Sequence, residues 1–285
     1  MEIQHTVEHE NTHTIGRLLL DSGKLKPADA DKIIHAQKLY NLRFGDAAVK
    51  LGLISEEDIL QVVSQQFDYA CLTVSDDAVD QSIITAFQTY GPEVEAFRAL
   101  RSQLTLRWFA DNKALVITAP QTGVGVSYIS ANLAVMFAQQ GQNTLLIDAD
   151  MRSPSQNNYF KLEGRLGLSD VLAKRAGLDV IQNVRGLENL SVLASGTIPP
   201  NPLELIGHEK FAKLKAQLVQ IYEIIIIDSP AMLEFSDAQA LTSVTKAALV
   251  VAQRNNTELA EIESLKKQIA IAGAEPLGVV INTRK

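Results

Sequence analysis

Cysteine is almost missing from this sequence: Cys71 is the only one in 285 residues, so no disulfide can form within the chain. There is no apolar run of 18 residues and no secretory h-region at the N-terminus, so the sequence predicts neither a membrane span of its own nor export. Basic residues are also in deficit. The 26 lysines and arginines are outweighed by 33 acidic residues, a net charge of -7, which argues against non-specific binding to nucleic acid or anionic lipid. The expectation is a cytoplasmic chain with protein or small-ligand partners and no nucleic acid, reaching the inner face of the cell membrane only through a separate partner. Its length suits one α/β domain of about 200 residues and something smaller.

The smaller part comes first. Residues 1–13 are polar, with His5, His9 and His13 four apart and nothing apolar to anchor them, so they read as a solvated tail. From Thr14 the chain repeats: Ile15-Gly16 matches Phe44-Gly45, Gly23 matches Gly52, Leu25 matches Ile54, and Gln37 matches Gln66. Each unit, 14–37 and 43–66, reads as a helix, a glycine turn and a second helix. Pro27 suits a first helical position and Ser55-x-x-Asp58 has the form of a capping box. The expectation is a small all-α domain over 14–72.

This block resembles the MshEN-type N-terminal domain of secretion and pilus ATPases, whose paired motifs bind cyclic di-GMP. The resemblance implies Arg43, Gly45, Gly52 and Gln66 as contacts for that ligand. Thr14 departs from the motif's arginine, which removes a guanidinium able to stack on guanine or pair with phosphate. The alternative is a docking module of short helices whose glycines and leucines serve packing.

Between Leu72 and Pro92 the apolar period fades, and Asp76-Asp77, Asp80 and Gly91-Pro92 punctuate the chain, so 73–92 reads as a linker before a domain over 93–285. A helix resumes over 93–108. It carries Glu95, Arg98 and Arg101, three apart and so near one face. Taken alone, these are a solvated, ion-paired face.

The stretch that organises the larger domain is Ala119 to Ser127, between the apolar run Ala114–Thr118 and the helical pattern Tyr128–Gln140. A strand, a glycine turn and a helix in that order make a phosphate cradle, because close-set glycines let backbone N–H groups reach phosphate oxygens at a positive helix terminus. Further short apolar runs, Thr144–Ile147, Ile224–Ile227, Ala247–Val251 and Leu277–Ile281, with Leu190–Leu193 as a sixth, alternate with helical segments. The predicted fold is a P-loop NTPase-like α/β domain, mostly parallel, with helices on both faces.

Ligands then sit at the carboxyl ends of the strands. Those ends carry the glycine loop, Asp148-Ala149-Asp150-Met151-Arg152, Asp228-Ser229-Pro230 and Asn282. Mg²⁺ takes one or two carboxylates with hydroxyl and phosphate oxygens, which suits Ser127, Asp148 and Asp228. Asp148 or Asp150 could orient or accept a proton from an attacking hydroxyl. A lone aspartate at a strand end is as often a helix N-cap.

Leu145 to Arg152 and Ile224 to Pro230 resemble the Walker A′ and Walker B motifs of the bacterial tyrosine kinases, and Glu95-x-x-Arg98-x-x-Arg101 resembles their oligomerisation motif. With the N-terminal block, the likeness is to EpsG-type chain-length-determinant tyrosine kinases of exopolysaccharide clusters. It implies an ATP/ADP and Mg²⁺ site using Gly123, Val124, Gly125, Val126, Ser127, Tyr128, Arg152 and Asn282, with Asp148, Asp150 and Asp228 catalytic. It also implies a homo-oligomeric ring through Glu95, Arg98 and Arg101, and a membrane polysaccharide co-polymerase as partner.

Two departures set the expected outcome. Val126 stands where the P-loop pattern has its lysine, and Tyr222 is the last tyrosine, whereas the family carries a tyrosine cluster after the last strand. The expectation is a kinase-family protein with impaired catalysis. The alternatives are a working tyrosine autokinase that borrows a cation from elsewhere, and a positioning ATPase of the MinD type. The last lacks its further lysine here, since Ala119 to Thr122 contains none.

Overall fold

The computed structural model describes residues 15–55, 58–59, 72 and 77–284. The chain divides into two compact units, Met1–Ala70 and Cys71–Lys285. No described helix is long and apolar enough to cross a membrane.

In the first unit, α1 (Ile15–Asp21), α2 (Ala30–Tyr40) and α3 (Phe44–Lys50) close on Leu19, Leu25, Ile33, Ala36, Ala47, Ala48 and Ile54. The repeat is visible in the backbone. Gly23 and Gly52 end their helices at φ +70° and +67°, a region that only glycine enters freely, and each turn delivers a buried residue, Leu25 or Ile54. Ser55 and Asp58 exchange hydrogen bonds as a capping box does. A hydrogen bond from Lys24 (2.5 Å) and that from the Ser55 amide hold the Asp58 carboxyl down at about 2. The second helix expected in the second repeat, with Gln66, lies outside the described residues.

The second unit is a seven-stranded sheet in the order β3-β4-β2-β5-β1-β6-β7. Its strands are β1 (Ala114–Thr118), β2 (Thr144–Asp148), β3 (Gln182–Asn183), β4 (Leu190–Leu193), β5 (Ile224–Asp228), β6 (Ala247–Gln253) and β7 (Glu275–Asn282). All pairs are parallel except β3 with β4. The continuous aliphatic runs make sense because the central strands are buried on both faces. Leu115, Ile117, Leu146, Ile224 and Ile226 enter one core, while Ala114, Val116, Leu145, Ile147, Ile225 and Ile227 enter the other. The six expected strands are present; β3, two residues long, carries too little pattern to read from sequence.

Helix α4 (Ile84–Phe87) precedes α5 (Pro92–Leu104), which starts on Pro92 and runs on through a π-turn, Thr105–Phe109. There Trp108 donates from Nε1 to the Ala114 carbonyl at 3.0 Å. The glycine loop leads into α6 (Val126–Ala138), which is buried throughout Tyr128–Ala138. The region expected as a linker is partly core: Val79, Ile83 and Ala86 are buried, and Thr85 bonds to Asn132 on α6 through its N–H and its hydroxyl. Its apolar residues lie in a turn and one helical turn, too short to show a period.

Candidate nucleotide site

The site forms where β1, β2 and β5 end. Strand register sets Asp148 directly opposite Asp228, because β2 and β5 are neighbours paired along their whole length. Both side chains are inaccessible to solvent. Asp148 Oδ2 accepts from the amides of Ser155 and Gln156, both at 3.0 Å, so it caps the short helix α7 (Gln156–Tyr159). Asp228 Oδ2 accepts from the Gln156 side-chain amide at 2.7 Å, and the same amide reaches the Ser127 carbonyl at 3.1 Å.

Four buried polar atoms gathered here have no hydrogen-bond partner among the described residues: Asp148 Oδ1, Asp228 Oδ1, Gln156 Oε1 and Ser155 Oγ. Leaving such atoms unpaired costs about 1–3 kcal/mol each. Burial pushes the Asp148 carboxyl up to about 7 against the pull of the Gln156 and Ser155 amides, and the Asp150 charge adds to the rise. Burial, then the Asp148 charge, raises Asp228 well above the usual carboxylate range, opposed by Gln156 and the Ser127 hydroxyl. The donor set therefore fits a small hard cation: two carboxylates with free oxygens, a hydroxyl beside them, and a like-charge repulsion that a divalent ion would relieve.

Above this pair lies a cavity of about 300 Å³ lined by Gln121, Thr122, Gly123, Gly125 to Tyr128, Asp150, Ser153, Ser155, Tyr159 and Ser229 to Ala231. Asp150 is the carboxylate that lines it; its Oδ1 accepts from the amides of Arg152 and Ser153, which fixes the turn. Of the two aspartates weighed for the proton-handling role, the open one is Asp150. Val126 lines the cavity and packs partly against the core.

Val124, Asn282 and Arg152 support the loop and its surroundings rather than line the cavity, and Tyr128 does both. Val124 is wholly buried, and its carbonyl accepts from Asn282 Nδ2 at 2.9 Å. Arg152 was expected to reach a ligand; instead it pairs with buried Asp237 at 2.6 Å and stacks over Phe235, 4.4 Å from the ring centre. Tyr128 meets Phe97 edge-on and carries the Arg284 guanidinium on its face. Sequence reasoning missed Gln156, Glu234 and Glu261. Glu234 accepts from Thr122 and Glu261 from Gln121, across 112 and 140 residues of chain, and no local motif announces either.

Glycine is needed at Gly125 for two reasons. Its φ is +99°, and a Cβ there would come within 2.3 Å of Asn282 Nδ2, a buried amide already bonded to the loop. Gly123, at φ +85°, faces open space. Gly125→Ala is expected to lower unfolding stability by about 2–3 kcal/mol and Gly123→Ala by about 1 kcal/mol, read as shifts in the urea midpoint.

Within the second unit, Glu95, Arg98 and Arg101 do not line this cavity. Arg98 bonds to Glu95 and the Thr89 carbonyl, and Arg101 donates to the Met136 carbonyl at 3.1 Å. In the first unit, Arg43 is the N-cap residue of α3, and Gly45 packs so closely that a Cβ would meet Ile59 Cδ1 at 2.8 Å.

A sequence model for the AAA domain family (AAA_31) matches residues 112–275. The chain is 33% identical over 208 residues to the tyrosine-protein kinase YwqD of Bacillus subtilis, covering 73% of this chain and 88% of that protein. The crystal structure of the chimerical protein CapA2B2 superposes with a TM-score of 0.68 at 36% identity, over 79% of this chain and 99% of that one. The septum site-determining protein MinD of Pyrococcus horikoshii matches with a TM-score of 0.53 over 60% of this chain and 70% of its own; at 24% identity that likeness concerns the fold alone.

Proposed function

The chain belongs to the bacterial tyrosine-kinase family of P-loop domains, and on that footing we propose that it is a nucleotide-binding member with impaired phosphoryl transfer. In this role it regulates exopolysaccharide chain length or export together with a membrane co-polymerase. The observation that carries the proposal is the pairing of an intact cradle with a missing cation. Asp148 and Asp228 lie side by side with free oxygens beneath the glycine loop, and among the described residues no lysine or arginine lines the cavity.

Ser127, Asp148 and Asp228 would hold Mg²⁺, which supplies neutralisation of phosphate oxygens when bound. The backbone amides from Gly123 to Tyr128 present N–H donors to the phosphates at the start of α6. Asp150, open to the cavity, orients a tyrosyl hydroxyl and accepts its proton. Val126 offers no charge to the terminal phosphate, and phosphoryl transfer depends on positioned charge more than binding does. Glu95, Arg98 and Arg101 form the contact between copies in a homo-oligomer. The N-terminal unit serves docking, which the close packing of Gly45 and the turn role of Gly52 favour over cyclic di-GMP sensing.

Isothermal titration tests the binding half. Mg·ADP is expected to bind, with affinity at least tenfold lower when EDTA replaces Mg²⁺. Absence of heat from Mg·ADP and Mg·ATP at millimolar concentration overturns the nucleotide site.

A further inference from the structure

The loop carries a feature that a phosphate cradle does not need. The Glu234 carboxylate grips Thr122 with both oxygens: Oε1 accepts from the Thr122 amide and Oε2 from its hydroxyl, each at 2.8 Å. Thr122 lines the cavity, so one of the N–H groups at its edge is already engaged by an anion. The position of that anion follows from the sheet. β1 lies between β5 and β6, with β2 beyond β5 and β7 beyond β6. Asp148 and Asp228 end β2 and β5, whereas Asn282 ends β7 and props the loop from the opposite side. After β5 the chain crosses to the end of β1, where the Met232 amide donates to the Ala119 carbonyl, and this brings the Glu234 carboxylate onto Thr122 at the edge of the cavity.

Charge decides what such a pocket accepts. Asp150 lines it, Glu234 is bonded to Thr122 of its lining, Arg152 is committed to Asp237, and no basic residue among those described lines it. A third phosphate adds negative charge where only Mg²⁺ can offset it.

Resting on the nucleotide reading above, we propose that Glu234 makes this pocket selective for a nucleoside diphosphate over a triphosphate, by fixing a carboxylate against Thr122 at the edge of the cavity. Glu234 is exposed, so the effect is moderate and screened by salt. Glu234 is thus a specificity-determining residue, distinct from the groups that hold the metal.

The test is isothermal titration of the full chain with Mg·ADP and Mg·ATP at low salt, for the native protein, Glu234→Gln and Thr122→Val. Glutamine keeps an oxygen to accept from the Thr122 amide but removes the charge; valine removes the hydroxyl contact and leaves the charge. The native chain is expected to prefer Mg·ADP about tenfold. Glu234→Gln is expected to tighten Mg·ATP about fivefold while Mg·ADP moves less than twofold, and Thr122→Val to leave the ratio unchanged. Raising NaCl to about 0.5 M should narrow the native preference. Equal shifts for both nucleotides in Glu234→Gln, or a Thr122→Val ratio that follows Glu234→Gln, would show that the carboxylate only pins the loop and overturns selectivity alone. No heat from either nucleotide in any variant removes the site itself, and this inference with it.

Discussion

Val126→Lys is expected to raise the affinity for Mg·ATP about ten- to a hundredfold, the value of one charge-assisted contact of about 1.5–3 kcal/mol. Val126 begins α6 and lines the cavity, so a lysine there extends its ammonium toward phosphate without disturbing the strands. The loop around it needs no repair. Gly123 and Gly125 hold their positive φ angles, and Asn282 and Glu234 pin the backbone at Val124 and Thr122. The gain should be larger for Mg·ATP than for Mg·ADP, since the lysine of the P-loop pattern serves the outer phosphates. Titration of the two proteins side by side checks this. Equal affinities would mean that Val126 is not the missing element.

The second large effect concerns the metal-free protein: Asp228→Asn is expected to raise its melting temperature at pH 8 and to abolish the stabilisation by Mg²⁺. Asp228 is fully buried beside Asp148, and each has an oxygen without a partner. Burial, reinforced by the Asp148 charge, holds the Asp228 carboxyl well above its usual range, and burial pushes Asp148 to about 7. From about pH 4 to 7 the folded chain keeps protons that the unfolded chain has released. The folded state then binds more protons, so its stability falls as pH rises through this window.

An asparagine at position 228 ends the repulsion and keeps an acceptor for Gln156. The expected gain at pH 8 is about 2 kcal/mol, or roughly 4–8 °C in a domain of this size, shrinking as pH falls below about 7, where Asp148 takes up its proton. Saturating Mg²⁺ should stabilise the native chain and leave the variant unmoved. A variant less stable than the native protein at pH 8, or a gain independent of pH, would contradict the description of the carboxylate pair.

Much of this was legible in the sequence because it depends on local rules. Aliphatic runs such as Ile224–Ile227 are central strands since nothing else buries both faces, and Asp228 follows at the strand end where ligands gather. The repeat signalled its turns because Gly23 and Gly52 must adopt left-handed backbone.

What was not legible depends on contacts between distant residues. The sequence left the proton-handling role open between Asp148 and Asp150, and only the turn after β2 turns one inward to cap α7 and the other toward the cavity. Arg152 resembled a ligand-binding arginine until its partner, 85 residues away, was known. Gln156 and Glu234 are ordinary polar residues in sequence; the fold sets one between two carboxylates and the other on the glycine loop. The segment 77–92 failed as a linker because its buried residues are too few to form a pattern, although they complete the packing over α6.

The central claim is that the fold retains a nucleotide pocket while the loss of one lysine cripples phosphoryl transfer. Mass spectrometry of the purified native chain, after incubation with Mg·ATP, tests it most directly by measuring phosphate on its six tyrosines. The expected result is no phosphotyrosine above that of a control without nucleotide. Phosphotyrosine that accumulates in the native chain and disappears in Asp148→Asn would contradict it.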